Sequence, residues 1–411
     1  MKKKSLKSNL IWNSVGSFVY LFCQWLLTLL IVRFSKKFSD AGNFSLAISI
    51  TNIFYNIACF NVRPYLVSDN TNEYSVDNYT TFRFVTIFLS IIMCAIYLLF
   101  FNYSVSQFVC IMLYMMLKVC EAIVDLLHAF EQRKSRMDIG GFSLLCRGII
   151  TVVIFTISFL LIHNLNISLV FMVLCNFIFI IIYDFQRVKS FEVLKIYFDK
   201  DKIVSLFLRF LPIAVGTFLG TMSTSLPRQI LEKMNGSDML GIYATIATPA
   251  VIVQVASTYI FNPLLVTFSD YRLKRNFNDF KTLFFKVSSI IILFAIFCYV
   301  GQLFLAKPVL GLLYGAKIKK YSYLFNLIII YTSLNGYMWF CYNILIIFRE
   351  IKAILLINII SFLICISTSK LFITYFGMNG VSYTLITFTI VSIVLMLMVI
   401  KKSLMGLRRC S

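Results

Sequence analysis

Apolar residues in this chain fall into continuous runs of roughly 20, the length a helix needs to cross the ~30 Å hydrocarbon core of a bilayer. The pattern predicts about twelve transmembrane helices, over roughly 10–32, 41–62, 84–104, 107–129, 140–162, 167–184, 205–226, 240–267, 287–305, 322–347, 353–375 and 380–400. The runs are unbroken rather than alternating, which favours helices over a barrel even with 42 Phe and 22 Tyr. The expected fold class is all-α, integral to a membrane. The opening MKKKSLKSNL has the basic start of a secretory signal, but its apolar segment is too long and no small-residue cleavage site follows. It is expected to be a retained first span.

One span breaks the polarity rule. Between Gln107 and Phe130 the chain carries Lys118, Glu121, Asp125 and His128, with Gln132 one turn further on. At about 100° per residue all five fall within a stripe of roughly 80° on one helix face. An ionised group facing lipid costs roughly 2.5–3.5 kcal/mol or more, so the stripe is expected to face a bundle interior or a watery cavity. Two readings follow. Lys118 and Glu121 neutralise each other one turn apart as packing, or the stripe is a polar wall of a transport pathway.

Composition supports the membrane reading: of 411 residues, 60% are hydrophobic and 13% charged. The formal net charge of +21 is largely topological. With the N-terminus inside, most Lys and Arg fall in the inner segments, among them Lys2 to Lys4, Arg133 to Arg136, Arg187 to Lys202, Arg272 to Lys286 and Lys401 to Arg409. Both termini are therefore expected on the cytoplasmic side, with anionic membrane lipids as partners. No nucleic-acid partner is indicated, since no basic run interleaves with stacking aromatics in a soluble domain. The eleven cysteines sit in or beside apolar spans without C-x-x-C spacing, so neither disulfides nor a metal site is suggested.

The second half of the chain echoes the first. Val15-Gly16-Ser17-Phe18 returns as Val215-Gly216-Thr217-Phe218, and Ser39-Asp40-Ala41-Gly42-Asn43-Phe44 as Ser237-Asp238-Met239-Leu240-Gly241-Ile242-Tyr243. Phe60-Asn61 with Pro64, Val67 and Ser68-Asp69 is answered by Phe261-Asn262 with Pro263, Val266 and Ser269-Asp270. Ordered matches near half the chain length indicate internal duplication. Six spans per half keep both halves in one orientation, so two six-helix bundles related by a pseudo-two-fold axis along the membrane normal are expected. The bundles are 1–184 and 205–411, joined by a basic cytoplasmic linker over 185–204 that reads as partly amphipathic helix. Pro212, Pro227, Pro249 and Pro263 mark the seventh and eighth spans as bending elements or static kinks.

Two further cations fall inside spans. Arg147 is about two turns into the fifth and is positioned to pair with Asp125 or Glu121; Arg209, one turn into the seventh, has the option of snorkelling to the interface. Lys118 and Arg147 formally balance Glu121 and Asp125. An anion site therefore needs a protonated carboxylate, or a contribution from Arg209, Arg63 or Arg83.

Arg63-Pro64-Tyr65-Leu66-Val67-Ser68-Asp69 with Tyr79 and Arg83, the Lys118/Glu121/Asp125/Gln132 helix, Pro227-Arg228-Gln229-Ile230 before Gly236 and Leu240-Gly241-Ile242-Tyr243, and Leu312-Leu313-Tyr314-Gly315 before Tyr321 carry a resemblance. In that order they resemble the Wzx-type polysaccharide repeat-unit flippases, of the multidrug/oligosaccharidyl-lipid/polysaccharide exporter superfamily. The resemblance covers nearly the whole chain through short, degenerate motifs. It implies alternating-access transfer of undecaprenyl-pyrophosphate oligosaccharides across the bacterial cytoplasmic (inner) membrane for O-antigen or capsule assembly, with a polysaccharide polymerase and chain-length machinery as partners.

For such a substrate Arg147, Arg209 and Lys118 are the candidate pyrophosphate receivers, and Arg63 and Arg83 the gathering cations. Asn13, Ser14, Gln24, Asn52, Tyr55 and Asn56 offer sugar contacts. Glu121 and Asp125 are candidates for coupling to an H⁺ or Na⁺ gradient; no other cofactor is implied. Rival readings are a multidrug or metabolite exporter of the same superfamily, a peptidoglycan-precursor flippase, and a membrane-embedded polysaccharide polymerase. The last lacks its large outer loop, and no Ser/His/Asp set, metal cluster or phosphate loop appears, so no enzyme is expected.

Overall fold

A computed structural model describes residues 6–35, 37–68 and 73–410. The expectations placed on Lys2 to Lys4 and on Asp69 lie outside the described residues. Among those described there is no strand. The apolar runs form twelve long helices: α1 Leu6–Phe34, α2 Phe38–Cys59, α3 Val76–Phe100, α4 Val105–Arg133, α5 Met137–Ile162, α6 Leu165–Phe179, α7 Lys200–Asn235, α8 Ser237–Phe261, α9 Phe277–Tyr314, α10 Leu324–Phe348, α11 Ile351–Phe376 and α12 Met378–Cys410. Among the described residues, eleven helices are long and apolar enough to cross a membrane. α4 is not among these eleven, yet its 29 residues reach about 44 Å at 1.5 Å each, ample for a bilayer. The chain is a multi-pass, all-α membrane protein.

Local chemistry explains the helix starts. Ser75 opens α3 and Ser104 opens α4 with reciprocal capping boxes, closed by Asn78 and Gln107. The breaks after α2 and α8 match in the repeated sequence. Phe60 and Asn61 turn left-handed before a short helix, Arg63–Ser68, whereas Asn262–Leu264 form a 3₁₀ turn before Leu265–Leu273. Phe-Asn thus ends the second span of each half. Pro249 and Pro308 lie within α8 and α9, and α7 runs through both Pro212 and Pro227.

The chain packs as two compact units, Met1–Phe218 and Leu219–Ser411. The boundary falls inside α7. Ile203, Leu206, Phe210 and Ala214 on its first half join the same buried cluster as Phe60, Phe82 and Phe130. Neighbour relations repeat: α2 packs on α3 and α4, α3 on α4, α4 on α6 and α5 on α6, as α8 packs on α9 and α10, α9 on α10, α10 on α12 and α11 on α12.

In the first unit α1 and α5 touch backbone to backbone. A Cβ added at Gly16 would lie 1.9 Å from the Gly141 carbonyl oxygen, and one at Gly141 would lie 2.3 Å from that of Trp12. Small residues let membrane helices approach this closely. One turn along the seam, this contact sets Tyr20 against Gly148 and so against Arg147.

The segment joining the two halves differs from expectation. α6 passes into a π-helical turn, Ile180–Phe185, and then into the short helix Gln186–Lys189; residues 192–199 are not helical. The amphipathic helix expected over 185–204 is replaced by an extended strap along the start of α3. Thr81 Oγ1 accepts from the Tyr197 amide and donates to its carbonyl, both at 3.0 Å, while Asp77 Oδ1 accepts from the Lys195 amide at 3.1 Å. Those side chains meet backbone groups a helix would have satisfied internally.

Candidate functional site

α4 organises the first unit's polar centre. Lys118 Nζ lies 2.8 Å from Glu121 Oε2, and both are largely buried. The Tyr20 hydroxyl donates to Glu121 Oε1 at 2.9 Å, brought there by the α1–α5 glycine seam. Lys118 Nζ also stands 5.3 Å from the Tyr55 ring centre and 5.7 Å from that of Tyr114. Aromatic faces stabilise a cation that has lost water.

Two turns from Lys118, Asp125 receives two guanidinium groups. Arg63 Nη1 reaches Oδ1 at 2.9 Å and Arg83 Nη2 reaches Oδ2 at 2.8 Å. Arg83, only 3% exposed, also donates to the Ala58 carbonyl at 3.1 Å, and Arg63 to Gln132 Oε1 at 3.1 Å. The left-handed break at Phe60 and Asn61 sends Arg63 back onto α4. Arg63 and Arg83, read from the sequence as gathering cations at the inner surface, therefore hold the stripe. Arg83 does so from inside the protein.

Arg147 does not pair with either expected carboxylate. Its Nε donates to Asn176 Oδ1 at 3.3 Å, and its guanidinium carbon sits 5.9 Å from the Tyr20 ring centre. Asn176 in turn donates to Thr151 Oγ1 and to the Met172 carbonyl, each at 2.9 Å. Arg147 and Glu121 line one void with Tyr20, Gln24, Tyr114 and Asn176; its free volume of about 10 Å³ suits a single water. Around the stripe four cations, Lys118, Arg63, Arg83 and Arg147, face two carboxylates, Glu121 and Asp125. Arg63 and Arg83 supply the positive excess that an anion site requires.

The remaining expected site residues are not brought together there. Arg209 is on the surface, 2.5 Å from Glu73 Oε1 and 4.4 Å from the Tyr65 ring centre. Asn13 lies on the α1–α5 seam beside Gly141. Asn56 Nδ2 donates back to the Asn52 carbonyl at 3.1 Å, so part of its capacity serves α2 itself.

Sequence reasoning missed Asn176, although a lone amide in an apolar span beside a lone arginine is a usable signal. It also missed Glu131 and Asp184, both 0% exposed. Glu131 lies about 100° from the centre of the polar stripe, on a face read as apolar. Asp184 falls, on the sequence reading, at the very end of the first bundle, beside the linker. His128, read as part of the stripe, is buried with its Nε2 3.8 Å from Asp184 Oδ1. In the second unit, basic residues attributed to topology, Arg272, Arg275, Arg349 and Lys402, line a cavity of about 730 Å³ with Glu350 and Ser403.

This geometry belongs to a known architecture. The chain is similar over 99% of its length to the inward-facing structure of a multidrug resistance MATE family transporter of the MOP superfamily, and covers all of that chain (TM-score 0.74, 11% identity). It is equally similar to the lipid II flippase MurJ (TM-score 0.74, 13% identity, 97% of this chain and 90% of that one). The fold is that of the MATE and MurJ transporters. In sequence, 318 residues are 26% identical to the capsular polysaccharide biosynthesis protein CapF of Staphylococcus aureus, covering 75% of this chain and 77% of that protein. No family model matches the sequence.

Proposed function

We propose that this protein is a flippase that carries undecaprenyl-pyrophosphate-linked oligosaccharide repeat units across the bacterial cytoplasmic membrane for capsule or related surface polysaccharide assembly. The observation that carries this reading is Arg147: a guanidinium 2% exposed, inside a transporter fold, held by an amide and an aromatic ring rather than a carboxylate. A cation held that way keeps its charge for an anionic cargo, and a guanidinium matches phosphate oxygens in a fork. The relation to a capsule biosynthesis protein supports a glycan cargo.

In this reading Arg147 and Lys118 receive the pyrophosphate during alternating access, and Arg63 and Arg83 exchange Asp125 for substrate oxygens. Asn13, Asn52, Asn56 and Gln24 contact sugars, while Glu121 and Asp125, freed from their cations, are the groups open to H⁺ or Na⁺. Arg209 meets the substrate at the surface. Both termini are cytoplasmic, the basic cavity of the second unit faces anionic lipid, and a polymerase with chain-length machinery takes the product. The protein moves its cargo without chemical change, so it is not an enzyme.

A second reading is favoured by the similarity to MATE transporters and MurJ, in which the cargo is a drug-like cation or a peptidoglycan precursor. Depleting the protein and separating lipid-linked sugars by mass and membrane leaflet distinguishes them. The proposal expects undecaprenyl-pyrophosphate repeat units to accumulate on the cytoplasmic leaflet. Accumulated peptidoglycan precursor, or normal intermediates with lost export of amphipathic cations, would overturn it.

A further inference from the structure

The end of α4 nearest the α4–α5 turn holds a second ionisable group that the transport reading does not use. Glu131 on α4 and Asp184 on the π-helical turn after α6 are both 0% exposed, and all four carboxylate oxygens lack a hydrogen-bond partner. His128, one turn before Glu131, is 7% exposed; its Nε2 is also without a hydrogen bond and points at Asp184 from 3.8 Å, beyond hydrogen-bond range. Gly140 on α5 closes the cluster. A Cβ there would lie 2.9 Å from Glu131 Oε2 and 3.1 Å from the His128 ring, so the α5 backbone presses directly on both.

The charged groups around the cluster do not neutralise it. Asp138, at the start of α5, adds a third carboxylate, but its two oxygens are taken by Arg136 Nε and Nη2 at 2.8 and 3.0 Å. Arg63 is engaged with Asp125 and Gln132, and Arg147 with Asn176. The Tyr183 ring, next to Asp184, stacks on Phe179. Two ionised carboxylates fully shielded from solvent, with no hydrogen-bond partner in the protein and only the His128 ring, 3.8 Å from Asp184, as a group able to carry opposite charge, would meet a large desolvation penalty. Coordination of a metal ion is not indicated, since no group of three acidic, His or Cys ligands converges among the described residues. A proton resolves the conflict with the least rearrangement.

We propose that Glu131, with Asp184 and His128 beside it, forms a proton-binding site that holds one exchangeable proton on the Glu131 carboxyl at neutral pH. Binding a proton from solvent to one Glu131 oxygen takes the two carboxyl groups together from a charge of −2 to −1. Losing that proton returns the mutual repulsion and forces the pair apart. Such π-helical turns are frequent at functional sites. Here the turn carries one member of the pair, so separation is expressed where α6 leads into the strap over 192–199. The site lies outside the Lys118–Arg147 centre and does not depend on the identity of the cargo.

Infrared spectroscopy of the purified full-length protein tests this without any transported substrate. The expected result at neutral pH is a C=O stretching band from a protonated carboxylic acid. That band should shift in D₂O, disappear on alkaline titration, be lost in Glu131→Gln, and shift in Asp184→Asn, which alters the neighbour of the protonated group. Gly140→Ala, which crowds Glu131 without removing a carboxyl group, should shift the band and keep it. Absence of the band in the wild-type protein at neutral pH, or its persistence unchanged in these variants, would overturn the proposal. If the two charge-removing variants fail to fold, the wild-type titration and Gly140→Ala decide it. A missing flippase activity would leave the spectroscopic result intact, and so the two readings fail separately.

Discussion

α4 and α10 hold the same place in the two halves, each packing on the second, third and sixth long helices of its own unit, yet their chemistry is opposite. α4 carries Lys118, Glu121, Asp125, His128 and Glu131; α10, from Leu324 to Phe348, carries no charged residue at all. Where α4 has ion pairs, α10 has an amide pair, with Asn335 Nδ2 donating to Gln254 Oε1 at 2.6 Å, and a core of stacked and tilted phenylalanines around Phe340. The packing is the same around both helices, and the charged stripe is on α4 alone. α10 keeps the same packing with no charge on it, so the charged stripe of α4 is not needed for that packing, and this points to function.

The contrast yields an ordered set of effects. Asp125→Asn should be the most damaging, because it leaves Arg83 buried without its counter-charge. The expected loss is about 3–5 kcal/mol, read as a lower unfolding midpoint in detergent and reduced abundance. Pairing it with Arg83→Met should recover much of that loss. Gly141→Ala comes next, since the Cβ meets α1 backbone that cannot rotate away. About 1–3 kcal/mol is expected, with α1 displaced and Tyr20 drawn off Glu121. Arg147→Ala should leave the protein inserted and abundant while lowering polymer export by ~10- to 100-fold, the worth of one charge-assisted hydrogen-bonding group. Tyr20→Phe should cost only about 0.5–1.5 kcal/mol, the typical net value of one hydrogen bond, with export reduced slightly. In the second half, Asn335→Ala should fall in the same small range, since no charge is left stranded.

The sequence made the twelve spans legible because twenty apolar residues in a row leave a chain little choice but a membrane-crossing helix. The polar stripe of α4 was legible for a related reason: helical periodicity alone puts Lys118, Glu121, Asp125 and Gln132 on one face. Its partners were harder to read. Arg83 stands at the soft edge of a hydropathy run and so looked interfacial, but the capping box at Ser75 starts α3 two turns earlier and carries Arg83 inside. Asp184 looked like a boundary residue because the basic linker begins directly after it; the π-helical turn instead keeps it fully buried. Residues 185–204 carry the mixed basic and apolar composition of an amphipathic helix, and no local pattern reveals that Asp77 and Thr81 bind their backbone in extended form. Periodicity specifies which face a side chain shares with its own helix. The partner on another helix depends on where the chain turns, and those turns hang on single residues such as Phe60 and Asn61.

Reconstitution in liposomes tests the central claim most directly. Undecaprenyl-pyrophosphate oligosaccharide would be supplied on one leaflet and its arrival on the other followed by a sugar-modifying reagent that cannot cross the bilayer. The account predicts transfer by the wild-type protein and loss of transfer by a folded Arg147→Ala variant. Equal transfer by both, or no transfer by a wild-type protein that moves amphipathic cations instead, would contradict it.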